Sequence, residues 1–126
     1  MSNNKPFRIE DRIKSFRFAF QGIITFLKTE HNAWIHIVAA FVVIIAGFIL
    51  KINNTEWCWL TFSIALVFIA EMFNTAIELL TDLASPDFHP LAKKVKDVAA
   101  GGVLIAAIAA VVIGSIIFLP KILNLF

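Results

Sequence analysis

The sequence contains few of the charged residues that a soluble domain of its size would carry on its surface. Of 126 residues, 16% are charged and 60% are hydrophobic, and there is no tyrosine beside 13 phenylalanines. A typical soluble domain has about 25% charged and 45–50% apolar residues. Because a small soluble fold buries only about two-thirds of its chain surface, it could not hide this much apolar side chain. The composition therefore excludes a soluble domain and indicates an integral membrane protein.

Three other scarcities exclude further classes of protein. The single cysteine, Cys58, can form neither an intrachain disulfide nor a cysteine zinc site. The formal net charge of +2 is too small to indicate a nucleic acid as partner. The five glycines form neither a P-loop nor a GxGxxG loop. Any nucleotide site in this chain must therefore be built from helix side chains.

The amino-terminal segment, about residues 8–28, has the pattern of an amphipathic helix. Apolar side chains recur there at spacings of three and four, and arginines and lysines occupy much of the remaining surface. This pattern is typical of a helix that lies along the membrane surface. We expect one membrane domain, residues 1–126, that begins with this surface helix.

Three apolar runs follow, each long enough to cross a bilayer. His36 interrupts the first run, and we interpret it as an interfacial or helix-bonding side chain rather than a ligand. Lysines and arginines concentrate before the first run and before the third, which places the amino terminus and the loop at 85–97 in the cytoplasm. The predicted fold class is all-α. The predicted spans are about 33–50, 57–83 and 92–119, and Pro120 is expected to end the last one.

The second span carries three acids and one asparagine in its cytoplasmic half. These are Glu71, Asn74, Glu78 and Asp82. On a helix they fall within an arc of about 80°, which we call the acidic face. At 1.5 Å per residue, Glu71 lies about 10 Å deeper in the membrane than Glu78. Carboxylates inside a membrane helix are costly and mark function unless they merely bond neighbouring helices.

Further charges gather at the same cytoplasmic level, where Glu30, Lys96 and Asp97 are expected. Carboxylates there suit Mg²⁺ shared with phosphate oxygens, and the basic side chains suit the phosphates themselves. The residues thus predict a phosphoryl-transfer site that faces the compartment containing ATP. Two alternatives remain, a small oligomeric channel lined by the acidic face and a non-enzymatic assembly subunit.

The segment EMFNTAIELLTD, residues 71–82, resembles the ExxNxAIExxxD signature of the bacterial membrane-integral diacylglycerol kinase and undecaprenol kinase family. Further matches are Arg12, Phe16, Gly22, Glu30 and KDVAAG at 96–101. The resemblance covers about residues 8–119. It implies an ATP-dependent lipid kinase of the bacterial inner membrane, a homotrimer whose sites are shared between subunits. The implied reaction phosphorylates diacylglycerol to phosphatidic acid or, alternatively, undecaprenol to undecaprenyl phosphate.

The resemblance also implies roles for individual residues. Glu71 corresponds to the general base near the lipid hydroxyl, and Glu30 and Glu78 correspond to ligands of Mg²⁺. Contacts with the lipid are implied for Arg12, Phe16, Glu71 and Ala100. Contacts with the nucleotide are implied for Arg12, Phe18, Glu30, Asn74, Glu78, Asp82, Asp87, Phe88, His89, Lys96 and Asp97. Phe18 and Ala100 stand where the enterobacterial diacylglycerol kinases have tyrosine and serine, which leaves the lipid acceptor open.

Overall fold

A computed structural model describes residues 4–126, and it contains four helices. They are α1 (Ile9–Thr29), α2 (His31–Ile49), α3 (Asn54–Ala84) and α4 (Pro90–Leu123). By length and composition, α2, α3 and α4 are long and apolar enough to cross a membrane. The predicted all-α architecture of one amphipathic helix and three apolar helices is therefore confirmed.

The corner between α1 and α2 lies at Glu30, where the backbone is extended with φ −108° and ψ 109°. The Glu30 amide donates to the carbonyl of Phe26 at 2.9 Å, and the indole Nε1 of Trp34 donates to the carbonyl of Leu27 at 3.1 Å. Phe26 and Ala33 are buried on either side of the corner. These contacts hold Glu30 at a fixed point between the two helices.

Helix α3 begins at Asn54, three residues before the predicted start, because Asn53 caps it. The Asn53 side chain accepts from the Glu56 amide at 2.8 Å, and the Glu56 carboxylate accepts from the Asn53 amide at 3.0 Å. This capping box satisfies two backbone donors that the first turn of the helix leaves free.

Helix α4 continues to Leu123, so the prediction that Pro120 ends it is wrong. Proline has a φ that is compatible with a helix, and here it removes one amide donor near the carboxyl end. The ammonium group of Lys121, in the last turn, lies 3.3 Å from the Glu56 carboxylate. This ion pair holds the end of α4 against the beginning of α3.

Helix α3 is the central element of the fold. It packs most extensively against α4 and also packs against α2, while α1 contacts chiefly α2. A small apolar core of Ile52, Leu60 and Ile117 lies near the amino-terminal end of α3. The buried polar side chains are all on α3, among residues 4–126, and are Ser63, Glu71, Asn74 and Thr75. The acidic face therefore includes two of these four buried polar side chains, Glu71 and Asn74.

Gly47 is a position where an added methyl group should destabilise the fold. An alanine Cβ there would lie 2.7 Å from Cη2 of Trp57 and 3.1 Å from Cδ1 of Ile52. The Trp57 ring also packs against Phe48, with 4.8 Å between ring centroids. We expect Gly47→Ala to lower the free energy of unfolding by about 1–3 kcal/mol. Thermal unfolding in detergent measures the loss as a lower Tm.

Gly114 provides the matched control, because nothing lies within 4 Å of the position its Cβ would take. Gly114→Ala should leave the Tm unchanged or raise it slightly, since alanine is the better helix former. Equal unfolding temperatures for the two variants would show that the contact at Trp57 does not limit this position.

Candidate functional site

The four residues of the acidic face share one side of the continuous helix α3, but their surroundings differ. Glu71 and Asn74 are buried, Glu78 is half-buried and Asp82 is exposed. Glu71 is 5% exposed. The face thus runs from an enclosed carboxylate in the middle of α3 to an accessible one near its carboxyl end.

Glu71 accepts a hydrogen bond from a neighbouring helix. Nε2 of His36, on α2, lies 2.9 Å from Oε1 of Glu71, and the carboxylate makes the imidazole nitrogen the donor. The His36 ring also meets Phe68 edge-on, with 6.2 Å between ring centroids. Sequence reasoning placed His36 among helix-bonding or interfacial residues and outside the site. The available signal was its position as the one polar residue within an apolar span.

The two carboxylates predicted to bind Mg²⁺ accept hydrogen bonds from adjacent residues of α3, Thr75 and Asn74. Thr75 Oγ1 donates to Oε2 of Glu30 at 3.4 Å, which docks the α1–α2 corner on α3. One turn further, Nδ2 of Asn74 donates to Oε1 of Glu78 at 3.4 Å. The side-chain oxygen Oδ1 of Asn74 is buried and accepts no hydrogen bond within residues 4–126.

This arrangement fits a hard divalent cation. Residues 4–126 contain no group of three or more histidine, cysteine, aspartate or glutamate side chains that could enclose a metal ion. Mg²⁺ does not need one, because it usually binds through one or two carboxylates and completes its shell with phosphate oxygens and water. Glu30 and Glu78 provide two carboxylates, and the unpaired oxygen of Asn74 can accept a hydrogen bond from coordinated water.

Of the two α4 residues predicted to contact a nucleotide, Lys96 lies at the exposed end of the acidic face. Nζ of Lys96 lies 2.5 Å from Oδ1 of Asp82, which joins α4 to α3 there. Asp97 is paired instead with Lys93, at 2.6 Å along α4. The structure therefore brings Lys96 of α4 to the acidic face, whereas Asp97 of α4 is paired within its own helix.

The loop between α3 and α4 lies at this end of the fold as well. Asp87, Phe88 and His89 are exposed. The Asp87 carbonyl accepts from the Ser85 hydroxyl at 3.0 Å, and Nδ1 of His89 caps α4 by accepting from the Leu91 amide at 3.0 Å. The aspartate carboxylate and the phenyl ring are thus accessible to a ligand, while one histidine nitrogen is occupied by the cap.

Four further predicted residues make no side-chain hydrogen bond or ion pair with the acidic face within residues 4–126. Arg12, Phe16 and Phe18 are exposed on α1, and Ala100 is exposed on α4. The guanidinium carbon of Arg12 lies 5.4 Å from the centroid of the Phe7 ring. Helix α1 contacts chiefly α2 and packs little against α3, the helix that carries the acidic face.

A groove of about 440 Å³ lies between α2, α3 and α4. One end of the groove is nearest to the acidic face. It is formed by the lining residue of each helix that lies furthest toward the level of Glu71, namely His36 on α2, Phe68 on α3 and Ala110 on α4. The remaining lining is almost entirely apolar and includes the small residues Ala39, Ala40, Ser63, Gly114 and Ser115. The imidazole of His36 thus stands between an apolar groove and a buried carboxylate.

Comparison with known proteins identifies the family. Residues 17–118 match the family model described as prokaryotic diacylglycerol kinase. The undecaprenol kinase of Bacillus subtilis is 44% identical over 108 residues, which cover 86% of this chain and 88% of that protein. The diacylglycerol kinase of Synechocystis sp. is 41% identical over 112 residues, 88% of this chain and 64% of that protein. The sequence resemblance is thereby confirmed, and the chain belongs to the prokaryotic diacylglycerol kinase family.

Proposed function

We propose that this chain is a lipid kinase that transfers the γ-phosphoryl group of ATP to the hydroxyl of a membrane lipid alcohol. One observation carries the proposal. A buried carboxylate, Glu71, lies between an apolar groove on one side and, along the same helix face, the carboxylates of Glu30 and Glu78. Transfer from a water-soluble nucleotide to a lipid requires such a junction of an apolar and an anionic environment.

In this proposal Glu71 acts as general base. Its carboxylate accepts the proton of the lipid hydroxyl as the hydroxyl oxygen forms a bond to the γ-phosphorus. The bond between that phosphorus and the bridging oxygen breaks, and its electron pair leaves with ADP. A positioned general base of this kind contributes about 10²- to 10⁴-fold to a rate.

The nucleotide end of the acidic face supplies charge. Glu30 and Glu78 would hold Mg²⁺, which when bound neutralises the phosphate charge that develops during transfer. Lys96, held by Asp82 at 2.5 Å, places an ammonium group at the same end, where phosphate oxygens can approach it. Positioning and charge neutralisation are the main protein contributions in this class of reaction.

Diacylglycerol is the first acceptor in this proposal, with phosphatidic acid as its product. Undecaprenol is the second acceptor, because the alignment with the undecaprenol kinase of Bacillus subtilis covers 86% of this chain. The apolar groove beside His36 supports either lipid, since both present one hydroxyl on a long hydrocarbon body.

The distribution of charge and the exposed side chains of α1 support the location and assembly in this proposal. Lysines and arginines before α2 and near the beginning of α4 support a cytoplasmic site in the bacterial inner membrane. Arg12 and Phe16 are exposed on α1, which contacts chiefly α2, and this supports a homotrimer in which α1 completes a neighbouring site.

Transfer of ³²P from γ-labelled ATP in mixed micelles tests the proposed function. Diacylglycerol and undecaprenol are offered separately, with Mg²⁺ and with excess chelator. We expect labelled phosphatidic acid or undecaprenyl phosphate that disappears when the chelator is added. A folded preparation that labels neither lipid would contradict the proposal and favour the channel or assembly-subunit alternative.

A further inference from the structure

We propose that His36 is a positioning residue that holds the Glu71 carboxylate in the orientation needed to accept the lipid proton. This inference rests on the proposed function. Its basis is the 2.9 Å hydrogen bond between Nε2 of His36 and Oε1 of Glu71, which joins α2 to α3. Neither the acidic face nor the signature at 71–82 includes this histidine.

The hydrogen bond matters because Glu71 is a buried carboxylate. The residue is 5% exposed. Within residues 4–126, His36 gives Glu71 its one side-chain hydrogen bond. A buried carboxylate without a donor is costly, and its oxygens would be free to rotate toward any polar group nearby. The imidazole therefore both stabilises the carboxylate and fixes its plane.

The imidazole is itself held in place. Its side chain is 25% exposed, meets Phe68 edge-on and forms part of the groove wall. A lipid hydroxyl that arrives along the groove therefore meets His36, which is hydrogen-bonded to Glu71. With Oε1 bonded to Nε2–H, the second carboxylate oxygen, Oε2, is left to accept the hydroxyl proton.

The proton balance gives the two residues different roles. The hydroxyl proton passes to Oε2 of Glu71 as the new bond to phosphorus forms and ADP leaves with the electron pair of the broken bond. His36 keeps its Nε2 proton throughout and exchanges none with the substrate. Loss of His36 should therefore slow the chemical step and leave nucleotide binding at Glu30 and Glu78 intact.

Two substitutions of His36 separate the hydrogen bond from packing. In His36→Leu the donor is lost, whereas in His36→Gln the side-chain amide places an N–H the same number of bonds from the backbone as Nε2. We expect His36→Leu to lower kcat about 10- to 100-fold, as for loss of a hydrogen bond to a charged group, with the KM for Mg-ATP within about twofold of wild type. His36→Gln should restore most of the lost kcat.

His31→Leu is the matched control, since it replaces an exposed histidine at the beginning of the same helix. Its kcat should equal that of wild type. A His36→Leu enzyme with wild-type kcat, or a His36→Gln enzyme as slow as His36→Leu, would overturn the inference. An inactive wild-type protein would instead refute the proposed function, so the two failures are distinguishable.

Imidazole ¹⁵N resonances test the hydrogen bond itself, whether or not a lipid is phosphorylated. In protein labelled at its three histidines, the Nε2 signal of His36 is assigned by its absence in His36→Gln. We expect Glu71→Leu to shift this signal and Glu56→Gln, at the other end of α3, to leave it in place. An Nε2 signal that is identical in wild type and Glu71→Leu would overturn the pairing.

Discussion

Replacement of Glu71 by glutamine is expected to lower kcat for lipid phosphorylation about 10²- to 10⁴-fold. Glutamine has the shape of glutamate but cannot take the proton of the lipid hydroxyl. The KM for Mg-ATP should change by less than about threefold, because Glu71 lies two turns from Glu78 on α3. Steady-state kinetics with saturating lipid measure both constants.

Glu56→Gln is the control for this prediction. Glu56 lies on the same helix but outside the acidic face, where it pairs with Lys121 at 3.3 Å. We expect its kcat to stay within about twofold of wild type. If Glu71→Gln retained a wild-type kcat, or lost activity only through a higher KM for Mg-ATP, Glu71 would not be the general base.

Replacement of either predicted magnesium ligand should change the Mg²⁺ requirement, which Glu71→Gln should leave unchanged. Glu30→Gln and Glu78→Gln each remove one carboxylate from the nucleotide end of the acidic face. We expect the Mg²⁺ concentration for half-maximal activity to rise by at least about 10- to 100-fold, because that loss is typical even for a residue that only supports a metal ligand. Excess Mg²⁺ should restore part of the activity in each variant, which a titration of rate against free Mg²⁺ measures.

The contrast between the two sets of variants is the decisive feature. In Glu71→Gln the Mg²⁺ requirement should match that of wild type while kcat is lost. A Glu78→Gln enzyme with an unchanged Mg²⁺ requirement would show that its carboxylate, bonded to Asn74 at 3.4 Å, is structural. The nucleotide site would then have to lie away from this face.

Much of the fold follows from the sequence because apolar run length determines which segments can cross a bilayer. The ends of the helices depend on local bonds that run length does not reveal. Asn53 begins α3 early through its capping box, and α4 passes through Pro120 to reach the Lys121–Glu56 ion pair. Each of these depends on individual side chains at a helix end.

The acidic face was predictable for a different reason. Helical periodicity alone places Glu71, Asn74 and Glu78 on one side of any continuous helix. The pairing of His36 with Glu71 joins residues on two helices and depends on how α2 packs on α3, which periodicity within one helix cannot give. Arg12 is exposed on α1, and periodicity within that helix does not give its distance from the acidic face of α3.

Cys58 provides the most direct test of where the metal and the nucleotide bind. It is the single cysteine of the sequence, it is exposed, and it lies near the beginning of α3. A nitroxide attached there and Mn²⁺ bound with a nucleotide in place of Mg²⁺ give a distance by pulsed electron paramagnetic resonance. Labelling at a low ratio of nitroxide to protein limits distances between two nitroxides.

Glu78 lies twenty residues after Cys58 on the same helix, so its side chain is about 30 Å away along the axis of α3. We therefore expect a main distance of about 30 Å in wild type, and we expect this signal to be lost in Glu78→Gln at the same Mn²⁺ concentration. A distance below about 15 Å would place the metal near the amino-terminal end of α3, where Cys58 lies. That result, or a distance signal unchanged in Glu78→Gln, would contradict a nucleotide site on the acidic face.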